Sequence, residues 1–134
     1  MGGSVIQLQS SQIEAVATDE LAISARFAPA MLVKSEGVPG VDASTLWRQA
    51  AVLSFQNGEI EGELPSFPAR LAGGKLTVNR VSYVDMIPIP LDSAGFIQLV
   101  LNFVEAQGEL AIIGTGATLE LVGPGQYIQH LPAA

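Results

Sequence analysis

The chain has no cysteine, one histidine and one tryptophan in 134 residues, and only 14% of it is charged. Each shortage excludes something. Without cysteine there is no disulfide framework, no thiol nucleophile and no Cys-based zinc or iron–sulfur site. No metal site can gain a second imidazole from this chain, so neither a metal nor another cofactor is expected. Six Lys and Arg against thirteen Asp and Glu give a formal net charge of -7. A nucleic-acid partner is therefore not expected, because affinity for phosphate rests on clustered cations. Long apolar runs are missing too. Pro88, Pro90, Asn102, Gly114 and Gly116 break them before the ~18 residues of a membrane helix are reached, so no membrane span is expected. The first six residues hold no basic region and no long apolar stretch. That argues against a signal peptide and makes the cytoplasm the expected compartment.

What is present is apolar bulk. Hydrophobic residues make up 49% of the chain, too many for disorder. Area scaling for this mass leaves roughly 6,700 Å² exposed out of roughly 20,000 Å², enough burial for one core. A single domain over residues 1–134 follows. Residues 1–4 carry no functional weight, and residues 131–134 read as a flexible tail.

The apolar residues recur with period two, which is the signature of strands. In residues 20–27, Leu21, Ile23, Ala25 and Phe27 share a face, and Thr18-Asp19 reads as the preceding turn. Residues 51–64 read as a hairpin closed by Asn57-Gly58, the preferred pair for a type I′ turn. That register puts Phe55, Ile60, Leu53, Ala51 and Leu64 inward and Glu59, Glu61 and Glu63 outward. A second hairpin spans residues 96–122 with its turn at Ala106-Gln107-Gly108. Ile97, Leu99, Leu101 and Phe103 share one face of it, and Phe96, Val100 and Val104 the other.

Two changes of phase stand out. Leu110 and Ile112 are out of phase with Leu119 and Leu121, with Gly114-Thr115-Gly116 between them. Leu76 and Val78 are out of phase with Val81, Tyr83 and Ile87, with Asn79-Arg80 between them. Both read as bulges of the kind a coiled sheet or barrel needs. Pro88 and Pro90 cannot donate to a ladder, so residues 86–91 read as a sheet edge. Residues 43–50 fit a short helix capped by Ser44 or a continuing strand equally well. Loops are expected at 37–44, 65–74 and 123–126. The sum is an all-β chain, an antiparallel up-and-down barrel or sandwich of about seven to nine strands with at most one short helix.

Catalytic motifs are missing: no nucleophile elbow, phosphate loop, zinc-binding helix or dinucleotide fingerprint. No catalytic residue is assigned. His130 lacks an identifiable orienting carboxylate and nucleophile, and reads as an ordinary residue of a docked tail. Glu59, Glu61 and Glu63 read as a solvated face guarding an edge, with an acidic docking stripe or weak calcium site as the alternative. Arg80, Tyr83 and Asp85 form the candidate ligand-binding set, because Asp85 is in phase with inward residues. A carboxylate there would anchor a ligand or act as an acid–base, unless another change of phase turns it to solvent.

Residues 86–91 and 96–104 are apolar on both faces, whereas an ordinary monomer keeps one sheet face polar. A second copy is the simplest cover, most simply as a dimer. The interface candidates are Trp47, Met86, Ile87, Ile89, Phe96, Val100, Val104 and Tyr127. The leading functional expectation is a non-catalytic module that works by protein–protein contact as a homo-oligomer. The alternatives are a small-molecule-binding barrel, or an isomerase- or lyase-type enzyme using Asp85 and Tyr83 in an interior cavity.

Overall fold

Apolar alternation becomes strand along most of the chain, in a computed structural model that describes residues 3–35, 43–104 and 109–132. The strands are β1 (Gly3–Gln7), β2 (Gln12–Asp19), β3 (Ala22–Ser35), β4 (Ser44–Gln56), β5 (Glu59–Glu61), β6 (Ala69–Val78), β7 (Val81–Val84), β8 (Met86–Ile89), β9 (Asp92–Phe103) and β10 (Glu109–Leu131). All pairings between them are antiparallel. The described residues contain no helix, and none long and apolar enough to cross a membrane. Residues 44–50, read as helix or strand, are the start of β4.

The sheet is a partly closed ring. β2, β6, β9, β10, β4 and β3 pair in that order, and β3 returns to β2. Closure between β2 and β6 rests on Gln12 opposite Arg70 and Ile13 opposite Ala69. β1 and β8 extend the sheet beyond β3, while β7 lies on β6 and β5 on β10. The all-β antiparallel expectation holds. The inward faces fill the ring with one apolar cluster that includes Phe27, Phe55, Leu53, Leu76, Ile97, Leu99, Leu101, Leu110 and Ile112.

The hairpin expected at residues 51–64 is not formed. Gln56 lies opposite Gly116 and Glu59 opposite Ile113. β4 and β5 therefore run in one direction along β10, and their register is the same on both sides of Asn57-Gly58. A type I′ turn needs positive φ at both central residues, and only Asn57 of the pair has it, at 49°. The pair is instead an interruption held from outside. The Gly58 N–H donates to the Leu21 carbonyl at 2.6 Å, and Asn57 Nδ2 donates to Thr115 Oγ1 at 2.9 Å. The kink shifts the phase by one residue, so Ile60 still packs on the core and Glu59, Glu61 and Glu63 stay exposed.

Other expectations divide similarly. β9 and β10 form the second hairpin, from Asn102 opposite Glu109 to Asp92 opposite Thr118. Its turn at 106–108 lies outside the described residues. The change of phase near Gly114-Gly116 is a register shift between β9 and β10, with the extra residue on β9, where Gly95 has φ 111°. Asn79-Arg80 is not a bulge. It is the turn joining β6 to β7, with Val78 opposite Val81.

The turn before β3 is Glu20-Leu21, not Thr18-Asp19, because Asp19 still pairs with Ala22. Leu21 therefore stands 66% exposed, while Ile23, Ala25 and Phe27 are buried. Of the expected loop 65–74, residues from Ala69 onward belong to β6. Of the loop 37–44, residues 37–42 lie outside the described residues and Ser44 opens β4. Residues 123–126 are an irregularity within β10. Near the two limits of the described residues, Gly3 pairs with Ser35 and Leu131 with Ser44.

These placements separate core from rim. Phe27→Ala should cost about 3–5 kcal/mol of unfolding free energy, and Leu21→Ala no more than about 0.5 kcal/mol. Urea denaturation followed by the fluorescence of Trp47 measures both.

Candidate functional site

Arg80, Tyr83 and Asp85 follow one another along the β6–β7 turn, β7 and its junction with β8. Arg80 is exposed in the β6–β7 turn, and Tyr83 packs half-buried against the core opposite Leu76. Asp85 sits between β7 and β8 with φ 59°. That conformation shifts the phase and turns the residue to the surface, where it is exposed. Its backbone N–H donates to the Gly74 carbonyl at 2.8 Å, and its carbonyl accepts from the Leu8 N–H at 2.9 Å. Its Oδ1 accepts from the Gly74 N–H at 3.0 Å. Asp85 thus ties β6, the end of β1 and the β7–β8 junction together. Its carboxylate is committed to a backbone donor, and the interior it was expected to face is filled with aliphatic and phenyl side chains.

The interface candidates fall into separate groups. Ile87 is buried in the core opposite Ile6, so it is not available to a partner. Ile89 packs half-buried against the same core. Phe96, within β9, and Val104, just after it, stand 48% and 54% exposed, and Val100 is half-buried between Lys75 and Ala111. β9 pairs only with β6 and β10, so these three lie on a different wall from Trp47.

Trp47 and Tyr127 do come together. β3, β4 and β10 run past the ring, and with β1 and β8 they form a five-stranded extension in the order β8-β1-β3-β4-β10. Cross-strand partners share a face. One such row is Ile87, Ile6, Leu32, Trp47 and Tyr127. It begins in the core and ends at solvent, with Tyr127 55% exposed. The two rings meet edge to face, with centroids 5.6 Å apart and planes at 79°. Lys34 Nζ lies 4.2 Å from the Trp47 ring centroid, a cation–π contact. Trp47 Nε1 donates to Thr45 Oγ1 at 2.8 Å, which fixes the indole. His130 stands opposite Thr45. A concavity of about 360 Å³ beside them is lined by Lys34, Ser35, Ala43, Ser44, Thr45 and His130.

The opposite face of this extension is also apolar. Pro88, Val5, Val33 and Leu46 form a row. Val33 is buried yet stands apart from the core cluster. Met86 lies in the neighbouring row with Met31 and Arg48. Charge is the second distinguishing feature. The described residues of β1, β8, β3 from Ala30, β4 to Gln49 and β10 from Leu121 hold Lys34 and Arg48 and no Asp or Glu. Glu36 and Asp42, in the connection between β3 and β4, lie outside the described residues.

Sequence patterning missed Lys34, Thr45 and His130 as neighbours of Trp47. β10 is irregular against β4 between Val122 and Gln126 and again between Tyr127 and Gln129, so no simple strand register places Tyr127 opposite Trp47. No family model matches the chain, and no curated protein or solved structure is similar to it.

A structural Asp85 makes a direct prediction. Asp85→Asn keeps the acceptor and the tolerance for positive φ, and should leave stability within about 0.5 kcal/mol. Asp85→Val loses both and should cost about 2 kcal/mol or more. Equal losses for the two variants in thermal and urea unfolding would contradict this assignment.

Proposed function

We propose that this protein is a non-catalytic β-barrel module that works by protein–protein contact, self-associating through the extension that carries Trp47 and Tyr127. The carrying observation is the aromatic pair. Tyr127 is held out from the end of a core row, and its neighbour Trp47 is already fixed by Thr45 and Lys34. Large aromatics dominate the energetics of protein contacts because they bury much area and lose little entropy. A rigid, half-exposed pair is therefore a prepared anchor.

Charge supports the same surface. Self-association of a chain with net charge -7 is opposed by repulsion wherever carboxylates meet. The extension is where its described residues carry none. The exposed acids of the ring, such as Glu14, Asp19, Glu59, Glu61 and Glu63, stand outside the extension and would face water in such a complex. An interface of ordinary size, on the order of 1,200–2,000 Å², needs a surface of this breadth rather than an isolated side chain.

Sedimentation equilibrium tests the reading. A concentration-dependent dimer is expected below about 100 μM. Tyr127→Ala should raise the dissociation constant about 30-fold, the size of an anchor worth about 2 kcal/mol. Its thermal unfolding in dilute solution should stay near that of the wild type. A wild-type chain that remains monomeric across that range overturns the reading.

A further inference from the structure

A sheet edge left unpaired offers its N–H and C=O groups to any strand that fits, and natural sheets guard such edges with charge, proline or shortness. This molecule has several free edges, and they can be compared. β8 ends the sheet and carries Pro88, with Pro90 just beyond it. β5 is three residues long and carries Glu59 and Glu61. β2 meets β6 only at Gln12 and Ile13, and its free stretch carries Glu14 and Asp19. β7 is four residues long.

β10 is the exception. β9 accompanies it only as far as Thr118 opposite Asp92, with one further bond from the Leu119 N–H to the Leu91 carbonyl. Beyond that point, among the described residues, it pairs with β4 alone. Residues 121–131 are Leu-Val-Gly-Pro-Gly-Gln-Tyr-Ile-Gln-His-Leu, with no Lys, Arg, Asp or Glu, and residues 123–130 are all exposed. Pro124 guards only the first part. From Gln126 to Leu131 the edge has no charge and no proline and is longer than β5 or β7, and its one irregularity lies between Tyr127 and Gln129.

We propose that this edge pairs antiparallel with the same edge of a second copy, so that two extensions join into one sheet across a two-fold axis. The proposal rests on the self-association argued above and specifies its geometry. A second copy fits better than a foreign strand for two reasons. First, an uncharged edge meets its own image without repulsion. For an axis anywhere in residues 126–130, amide, aromatic, imidazole and aliphatic side chains face one another, and no like charges do. The edge offers a foreign peptide no charge by which to be selected.

The second reason is spacing. Strands lie ~4.8 Å apart, so β4 and its copy would be separated by roughly 14 Å. Arg48 on β4 would then stand beyond the ~8 Å screening length from its counterpart, and Lys34 on β3 would be farther still. The irregularities of β10 coil the strand, and a two-fold axis gives both partners the same coil. Each Trp47–Tyr127 pair then borders the seam.

Because the native chain has no cysteine, single substitutions report the geometry without background. Gln126→Cys, Tyr127→Cys, Ile128→Cys, Gln129→Cys and His130→Cys are made separately and oxidised, and the linked dimer is measured on a non-reducing gel. A disulfide needs Cα atoms within about 7 Å, which antiparallel pairs meet only at the axis, since each further residue adds ~7 Å between identical positions. The expected result is rapid linkage at one position or two adjacent ones, at least tenfold above the rest. Ile128→Lys should weaken the wild-type dimer at least tenfold while its circular dichroism stays unchanged.

A dimer in sedimentation with no linkage at any of the five positions overturns the edge pairing and leaves self-association standing. Equal linkage at all five also overturns it, as random collision. A monomeric wild-type chain overturns both.

Discussion

An antiparallel sheet that closes on itself must bend its long strands, and every bend breaks the ladder that holds the strands together. The rest of this molecule follows from how those breaks are made. β3 shifts register against β4 between Phe27 and Ala30, β9 shifts against β10 near Gly95, and the β4–β5 line is interrupted at Asn57-Gly58. Straight strands would leave the ring open and the apolar cluster of Phe27, Phe55 and the leucines facing water. The burial of that cluster therefore stabilises the bends, each of which costs local hydrogen bonds.

Short polar side chains recover most of that cost. Ser11 is fully buried where β1 passes into β2. Its hydroxyl donates to the Gln7 carbonyl and accepts from the Met31 N–H. Asn79, in the β6–β7 turn, donates to the Ala94 carbonyl and accepts from the Phe96 N–H across the β9 irregularity. Gln12 reaches the Ala28 carbonyl at the bend of β3, and Asp85, at the junction of β7 and β8, accepts from the Gly74 N–H of β6. Among the described residues, no buried side-chain nitrogen or oxygen lacks a partner. Residues with the chemistry of ligands or acids are thereby engaged with the backbone, Asp85 among them.

Bending also divides the surface. The ring carries most of the described carboxylates at its edges and turns, where water screens them. The extension carries Lys34 and Arg48, both apolar rows and the Trp47–Tyr127 pair. The extension is thus poor in charge, while exposed apolar side chains such as Leu21, Val84, Phe96 and Val104 also stand on the ring.

Strand character was legible from side-chain alternation alone, because the buried face of a strand repeats every two residues whatever its partner is. Ile97, Leu99, Leu101 and Phe103 are inward for that reason, and Pro88 and Pro90 mark an edge because proline has no N–H to give. Glu59 and Glu61 face water in either a hairpin or a continuing strand, so their exposure was legible while their partner was not. Pairing depends on energies summed over distant segments. β10 offers β4 and β5 a longer ladder than the return strand of a tight hairpin could, and that comparison is absent from the residues around Asn57-Gly58. The sequence by itself determined an all-β antiparallel chain and most of its inward residues, with Leu21 and Leu64 the exceptions. Only the tertiary structure decided that Trp47 meets Tyr127 and that Asp85 holds Gly74, because both depend on where two bent strands slip by a residue.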